Sequence, residues 1–175
     1  MRRNEDIKRL QELPAERIPE YIFLQLRNLW RVDGLYYMAI ENAYGTEAAT
    51  KIDAQVWEVM GKIEARHLKD FLRVQENDLP SMMHALGYTS WALDLEDKEI
   101  EVQKNHAIIR NIHCRVQETR KAKGLREFGC KPVRLGFLQA FAKEFNPHIV
   151  VNCTVCPPDL HPEGLWCEWE FTLKE

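Results

Sequence analysis

Three cysteines fall within fifteen residues in the stretch NCTVCPPDLHPEGLWCEWEF, residues 152–171. Cys153 and Cys156 form a Cys-x-x-Cys pair, Pro157 and Pro158 follow at once, and Cys167 opens the next apolar segment. Zinc is bound by four ligands in a tetrahedron, usually thiolate or imidazole, and a Cys-x-x-Cys turn supplies two of them. The expected metal set is therefore Cys130, Cys153, Cys156, Cys167 and Cys114, with zinc as the cofactor and His113 and His161 in reserve. One Cys-x-x-Cys, not two, leaves two other readings open. Free cysteines also serve as small buried hydrophobes, and one of them could be a reactive thiol. A thioredoxin-type pair suits the segment badly. Prolines follow Cys156 where a helix that lowers a thiol pKa would have to open.

A carboxylate on an apolar stripe is the second candidate. Asp33 falls in register with Ile22, Leu26, Leu29, Tyr37, Ile40 and Tyr44 along one helical face. Burying a carboxylate is costly unless it is paired or hydrogen-bonded. Asp33 is expected as a catalytic acid/base or ligand group at a pocket lined by Trp30, Tyr37 and residues of a sheet. The alternatives are a structural bond to Tyr or Trp, or a helix that breaks at Asp33-Gly34 and exposes the carboxylate. His67 joins the ligand-binding set from the apolar face of the following helix. Glu64 and His67 also make Glu-x-x-His, the spacing of carboxylate di-iron bundles. That site needs two copies, so Glu64 is read as a helix-surface residue.

Composition limits what these groups can serve. The chain has 175 residues, 45% of them hydrophobic, and a net charge of -3. That supports a real core and predicts neither a nucleic-acid nor a membrane partner. No apolar run approaches the ~20 residues of a bilayer span, and the start MRRNEDIKRLQELPAER lacks an apolar signal region. A cytoplasmic protein is expected, in which five cysteines do not form a disulfide framework. Between Lys104 and Arg134 there are nine Lys or Arg and two acidic residues. A solvated basic face is the default there, and an anionic small-molecule ligand the next choice. A homodimer is the assembly considered. There is no phosphate loop, no G-x-S-x-G and no H-E-x-x-H.

Apolar periodicity places the elements that must position these groups. Helices are expected over residues 3–13, 19–44, 46–74 and 78–87. The third carries Ile52, Val56, Met60, Ile63, His67 and Phe71 on one face. The period then changes. TSWALDLE, EIEVQ and HAIIRNIHC read as strands, with Cys114 ending the last of them. VQETRKAKGLREF and PVRLGFLQAFAKEF read as helices, the second opening near Pro132. HIVVNCTV and LWCEWEFTL are the final strands. The fold class expected is α+β, with a helical N-terminal half packed on an antiparallel sheet and two further helices. One domain over 1–175 is expected, with a helical layer over 1–87 and an α+β part over 88–175. Strand alternation puts Cys153 and Cys167 on the covered face of the sheet.

Three stretches together resemble a known family. They are LWRVDGLYYMAIENAYGTEAATKIDAQVWEVMGKIEA, CRVQETRKAKGLREFGCKPV and CTVCPPDLHPEGLWCEWEF. The chain is identified by them as a member of a prokaryotic family of cytosolic proteins, domain of unknown function 6125, which carries no assigned activity. The Cys-x-Trp-x-Phe ending is also similar to the 4-vinyl reductase domain, which implies a small-molecule-binding α+β fold. The C-terminal pattern after a helical half further resembles the L-2-amino-thiazoline-4-carboxylate hydrolases. The function expected is a small-molecule- or metal-binding cytosolic protein with a Cys-rich site, sensory or cofactor-carrying. The alternatives are a hydrolase acting on a small cyclic amide-like carboxylate, and a structural or interaction module.

Overall fold

The computed structural model describes residues 2–174. Helix α1 (Arg2–Gln11) is followed by a turn of 3-10 helix at Ala15–Arg17 and by α2 (Ile18–Tyr44). Then come α3 (Thr46–Phe71), α4 (Leu79–Leu86) and α5 (Ser90–Asp94). The second half holds β1 (Lys98–Val102), β2 (His106–Asn111), α6 (Arg115–Ala122), α7 (Cys130–Phe145), β3 (Ile149–Val155) and β4 (Cys167–Leu173). Among the described residues every strand lies after Gly87, as the change of period predicts. The class is α+β, with an antiparallel sheet in the order β1-β2-β4-β3.

The chain divides into two compact units, and the division falls inside α2, between Tyr36 and Tyr37. The described elements of the first unit are all helical. The second is built around α7, which packs on α3 and on the inner face of the sheet through β3. Its core holds Trp57, Phe137, Phe141, Phe145, Trp169 and Phe171. Alternation in β4 buries Cys167, Trp169 and Phe171 and turns Glu168 and Glu170 to the other face. There Arg110 bridges Glu101 and Glu168, and His106 meets Glu170 at 2.9 Å.

Three sequence expectations need correction. TSWALDLE is not a strand but carries α5, because Thr89 caps it. The Thr89 hydroxyl accepts the Ala92 amide at 3.1 Å, and this local bond outweighs the Trp91-Leu93-Leu95 alternation. The strand ending in Cys114 stops at Asn111, and Cys114 occupies the N-cap position of α6. The buried face of α3 is not the one its largest apolar residues mark. Ile52, Val56, Ile63, His67 and Phe71 are exposed, whereas Ala49, Trp57, Gly61 and Ala65 are buried. The reason is the close approach of α7. A Cβ on Gly61 would stand 2.4 Å from the Phe137 carbonyl oxygen, so only small residues fit along the seam.

Candidate functional site

Strand pairing brings the cysteines to one end of the sheet. Cys153 lies opposite Trp169, the ladder slips between Cys153 and Val155, and Cys156 follows the end of β3. Cys167 opens β4 opposite Asn111, the last residue of β2, with Cys114 three residues further on. The amino end of α7 joins them, because the Lys131 amide donates to the Pro157 carbonyl at 2.9 Å. The Lys131 ammonium meets Asp159 at 2.5 Å on the outside of the same loop. Cys130, the first residue of α7, is thereby brought beside the loop that Cys156 opens. Cys153, three residues before Cys156, is raised by burial despite the pull of the Lys131 ammonium. Cys114 and Cys167 feel the charge of Cys130.

All five cysteines are free. Among the described residues, no three or more His, Cys, Asp or Glu side chains are placed to hold one metal ion. The reserve ligands are engaged elsewhere: His113 with Glu118 at 2.9 Å, and His161 with Glu127 at 3.5 Å and against the Trp166 ring.

The electrostatics single out one thiol. The Cys156 S–H bond holds Cys130 below the ordinary thiol range, against the cost of burial. The Arg134 guanidinium, one helical turn on, adds charge attraction and a hydrogen bond, while Asp53 opposes it. The α7 dipole also favours negative sulfur at this end. The first-turn amides give little more. Those of Cys130 and Lys131 are used on Phe128 and Pro157, and Pro132 has none. Every other thiol moves the other way. Burial pushes Cys114 up to about 11 and raises Cys153 and Cys167. Cys156, as donor to Cys130, is raised as well.

Arg134 is only 5% exposed. Its guanidinium lies over the rings of Trp57, Trp91 and Phe137 at 5.3, 4.9 and 5.0 Å. Cation–π contact of this kind compensates part of the cost of a buried charge. Glu64 faces the same region. It accepts the Ser90 amide at 3.2 Å, and burial raises its pKa despite that bond and the pull of Arg134. Glu64 is thus not the helix-surface residue its spacing suggests. Asn111, 2% exposed and opposite Cys167, keeps a side-chain oxygen with no hydrogen-bond partner among the described residues. Arg134 and Asn111 escape the sequence reading as site residues, and Glu64 is weighed there only as a surface carboxylate. The one signal for Arg134 is its position four residues after a cysteine that opens a helix.

A testable consequence follows for Glu64. A carboxyl raised above its ordinary value is disfavoured when ionised in the folded state, so stability falls as pH rises through the interval between the two values. Glu64→Gln keeps an acceptor for Ser90 and removes that slope. Urea melts at mildly acidic and neutral pH should show a variant that gains on wild type as pH rises. An unchanged slope would contradict the burial of this charge.

Asp33 is half-buried and Trp30 buried, both in the first unit. Tyr37 belongs to the second. It bonds Thr50 at 2.9 Å and packs edge-on to Phe128. His67 is exposed on α3. Within the basic stretch Lys104, Lys121, Lys123 and Arg126 are exposed, and three further arginines are paired. Arg115 binds Asp94 at 2.6 Å, Arg120 binds Glu41 at 3.0 Å, and Arg110 binds glutamates of the sheet.

Fold and site define an α+β protein with a thiol cluster where one sheet end meets a helix amino end. Residues 11–173 match DUF6125, a family of unknown function, and the chain belongs to that family. The match leaves the two weaker resemblances as resemblances. The comparison with curated proteins gives no match. Among solved structures, the chain is similar to a trafficking protein particle complex subunit 3 from Naegleria fowleri, crystallised covalently bound to palmitic acid. The TM-score is 0.57 at 11% identity, over 87% of this chain and 96% of that one. At that identity the likeness is one of fold. Among the described residues no helix is long and apolar enough to cross a membrane.

Proposed function

We propose that this chain is a small-molecule-binding domain that holds its ligand covalently on Cys130, and that the ligand is an acyl group delivered as a thioester. The observation that carries the reading is the setting of Cys130 at the start of α7. It receives a hydrogen bond from Cys156 and sits one turn from the Arg134 guanidinium. The thiolate is the nucleophilic form of cysteine, and this setting favours it. The fold neighbour, which carries palmitic acid covalently, supports the choice of an acyl ligand. In the step, the Cys130 sulfur attacks the thioester carbonyl carbon and the carrier thiolate leaves, taking a proton from water. One thioester bond replaces another, so no oxidant is needed. The acyl group is retained, which makes the domain a carrier or sensor and not a hydrolase. A cytoplasmic setting, where thiols stay reduced, suits it.

The test is intact mass spectrometry after incubation with palmitoyl-coenzyme A. The expected product gains one palmitoyl group that hydroxylamine removes. Cys130→Ser should lose the adduct and Cys153→Ser should keep it. No adduct on the wild type, or an adduct that survives in Cys130→Ser, overturns the reading.

A further inference from the structure

The close fit of α3 on α7 leaves an apolar stripe of α3 facing outward. We propose that this stripe is the contact between two copies of the chain, which pair α3 against α3 in antiparallel sense about a two-fold axis. The inference does not depend on the acyl reading above.

The stripe is Ile52, Val56, Val59 and Ile63, each between 38% and 53% exposed. Steps of four, three and four keep the four side chains within about 60° of one another around a helix. Scattered exposed apolar residues need no explanation, but a continuous stripe marks an interaction surface.

A second copy matches it by symmetry. The spacing reads the same from either end. An antiparallel copy therefore sets Ile52 against the partner's Ile63 and Val56 against the partner's Val59, and the two-fold repeats both contacts. The flanks accept the same pairing. Gln55 comes against the partner's Lys62 and Asp53 against the partner's Met60, so no like charges meet. Tyr44, 76% exposed, stands just before α3, and Phe71, 80% exposed, ends it. The antiparallel copy brings the end that carries Tyr44 to the end that carries Phe71, which lengthens the apolar patch. Opposed helix dipoles attract weakly, whereas a parallel pair would set like ends together. The length is sufficient as well. α3 has 26 residues and so is about 39 Å long. A standard interface takes about 800 Å² from each partner, a patch about 30 Å across. The rival cover for the stripe is α2 of a second copy, whose Phe23 and Val32 are also exposed.

The experiment is sedimentation velocity of the full chain at rising concentration, with excess dithiothreitol so that no cysteine links the copies. Wild type should reach the mass of a dimer. Val56→Lys and Val59→Glu should each stay monomeric, because either homodimer would bury the new charge twice against valine. Their equimolar mixture should dimerise again. In the mixed pair the two introduced charges face each other and the two remaining valines meet. Both positions are half-exposed, so the fold should tolerate the charges. Should either charged variant lose its circular dichroism, the isosteric Val56→Thr/Val59→Thr variant decides. Its dissociation constant should rise at least about tenfold, since four hydroxyls per dimer enter an apolar seam. A wild type that stays monomeric at the highest concentration, or a dimer that survives either charged substitution, overturns the inference. So does a mixture of folded variants that stays monomeric, which is the result expected if α2 of the second copy covers the stripe.

Discussion

Gly61→Ala is expected to destabilise the protein by about 2–3 kcal/mol, the upper part of the range for forcing extra atoms into a packed interior. The added Cβ would stand 2.4 Å from the Phe137 carbonyl oxygen and 3.3 Å from the Ala140 Cβ. The first neighbour is helix backbone, which cannot rotate away, so α3 and α7 must separate. Separation loosens the contacts of Trp57 and Phe137, whose rings lie 5.9 Å apart. Arg134 rests on both of those rings, so the effect reaches the thiol site. Gly34 is the control. It also lies inside a long helix, and a Cβ added there would meet nothing within 4 Å. Alanine there should be neutral or stabilise by up to ~1 kcal/mol, from helix propensity alone. Urea midpoints for both variants decide the matter. Equal midpoints would mean that α3 and α7 are not in this contact.

The same seam shows where sequence reading stops. Periodicity locates α3 because a helix keeps its apolar period whichever face is used. It cannot say which face wins when two are apolar or small. The stripe through Ile52, Val56 and Ile63 has more hydrophobic area, yet Gly61 and Ala65 permit a closer approach, and close approach decided the packing. The strands were legible for a simpler reason. β4 alternates, so the covered position of Cys167 follows from the pleat, whereas Cys153 is half-buried beside the slip in β3. The gathering of Cys130 with Cys156 was legible only as a requirement that FGCKP reach the sheet end. Arg134 was hidden because it sits in a stretch where arginine reads as surface charge. Only the fold shows three aromatic rings around it.

At neutral pH, iodoacetamide is expected to modify Cys130 well before any of the other four cysteines, as followed by peptide mass spectrometry over time. Alkylation goes through the thiolate, so its rate follows the ionised fraction. Cys130 is held below the ordinary thiol value by the Cys156 hydrogen bond first and by Arg134 next. Its rate should therefore level off at a pH where an ordinary thiol is still gaining. Cys114, pushed up to about 11, and the raised Cys153, Cys156 and Cys167 should still be accelerating there. Removing a group that favours the thiolate moves the levelling-off to higher pH and slows the reaction at neutral pH. Cys156→Ala removes the donor and should show that displacement most, whereas Cys156→Ser keeps an O–H donor and should show less of it. Arg134→Met keeps much of the packing volume, loses the charge and should displace the curve in the same direction. A variant that merely loosened the fold would speed alkylation of the buried Cys167 as well, so the selectivity for Cys130 separates electrostatics from unfolding. If Cys153 reacts first in the wild type, or if Cys156→Ala leaves the Cys130 profile where it was, the hydrogen bond from Cys156 is not what makes this thiol the reactive one.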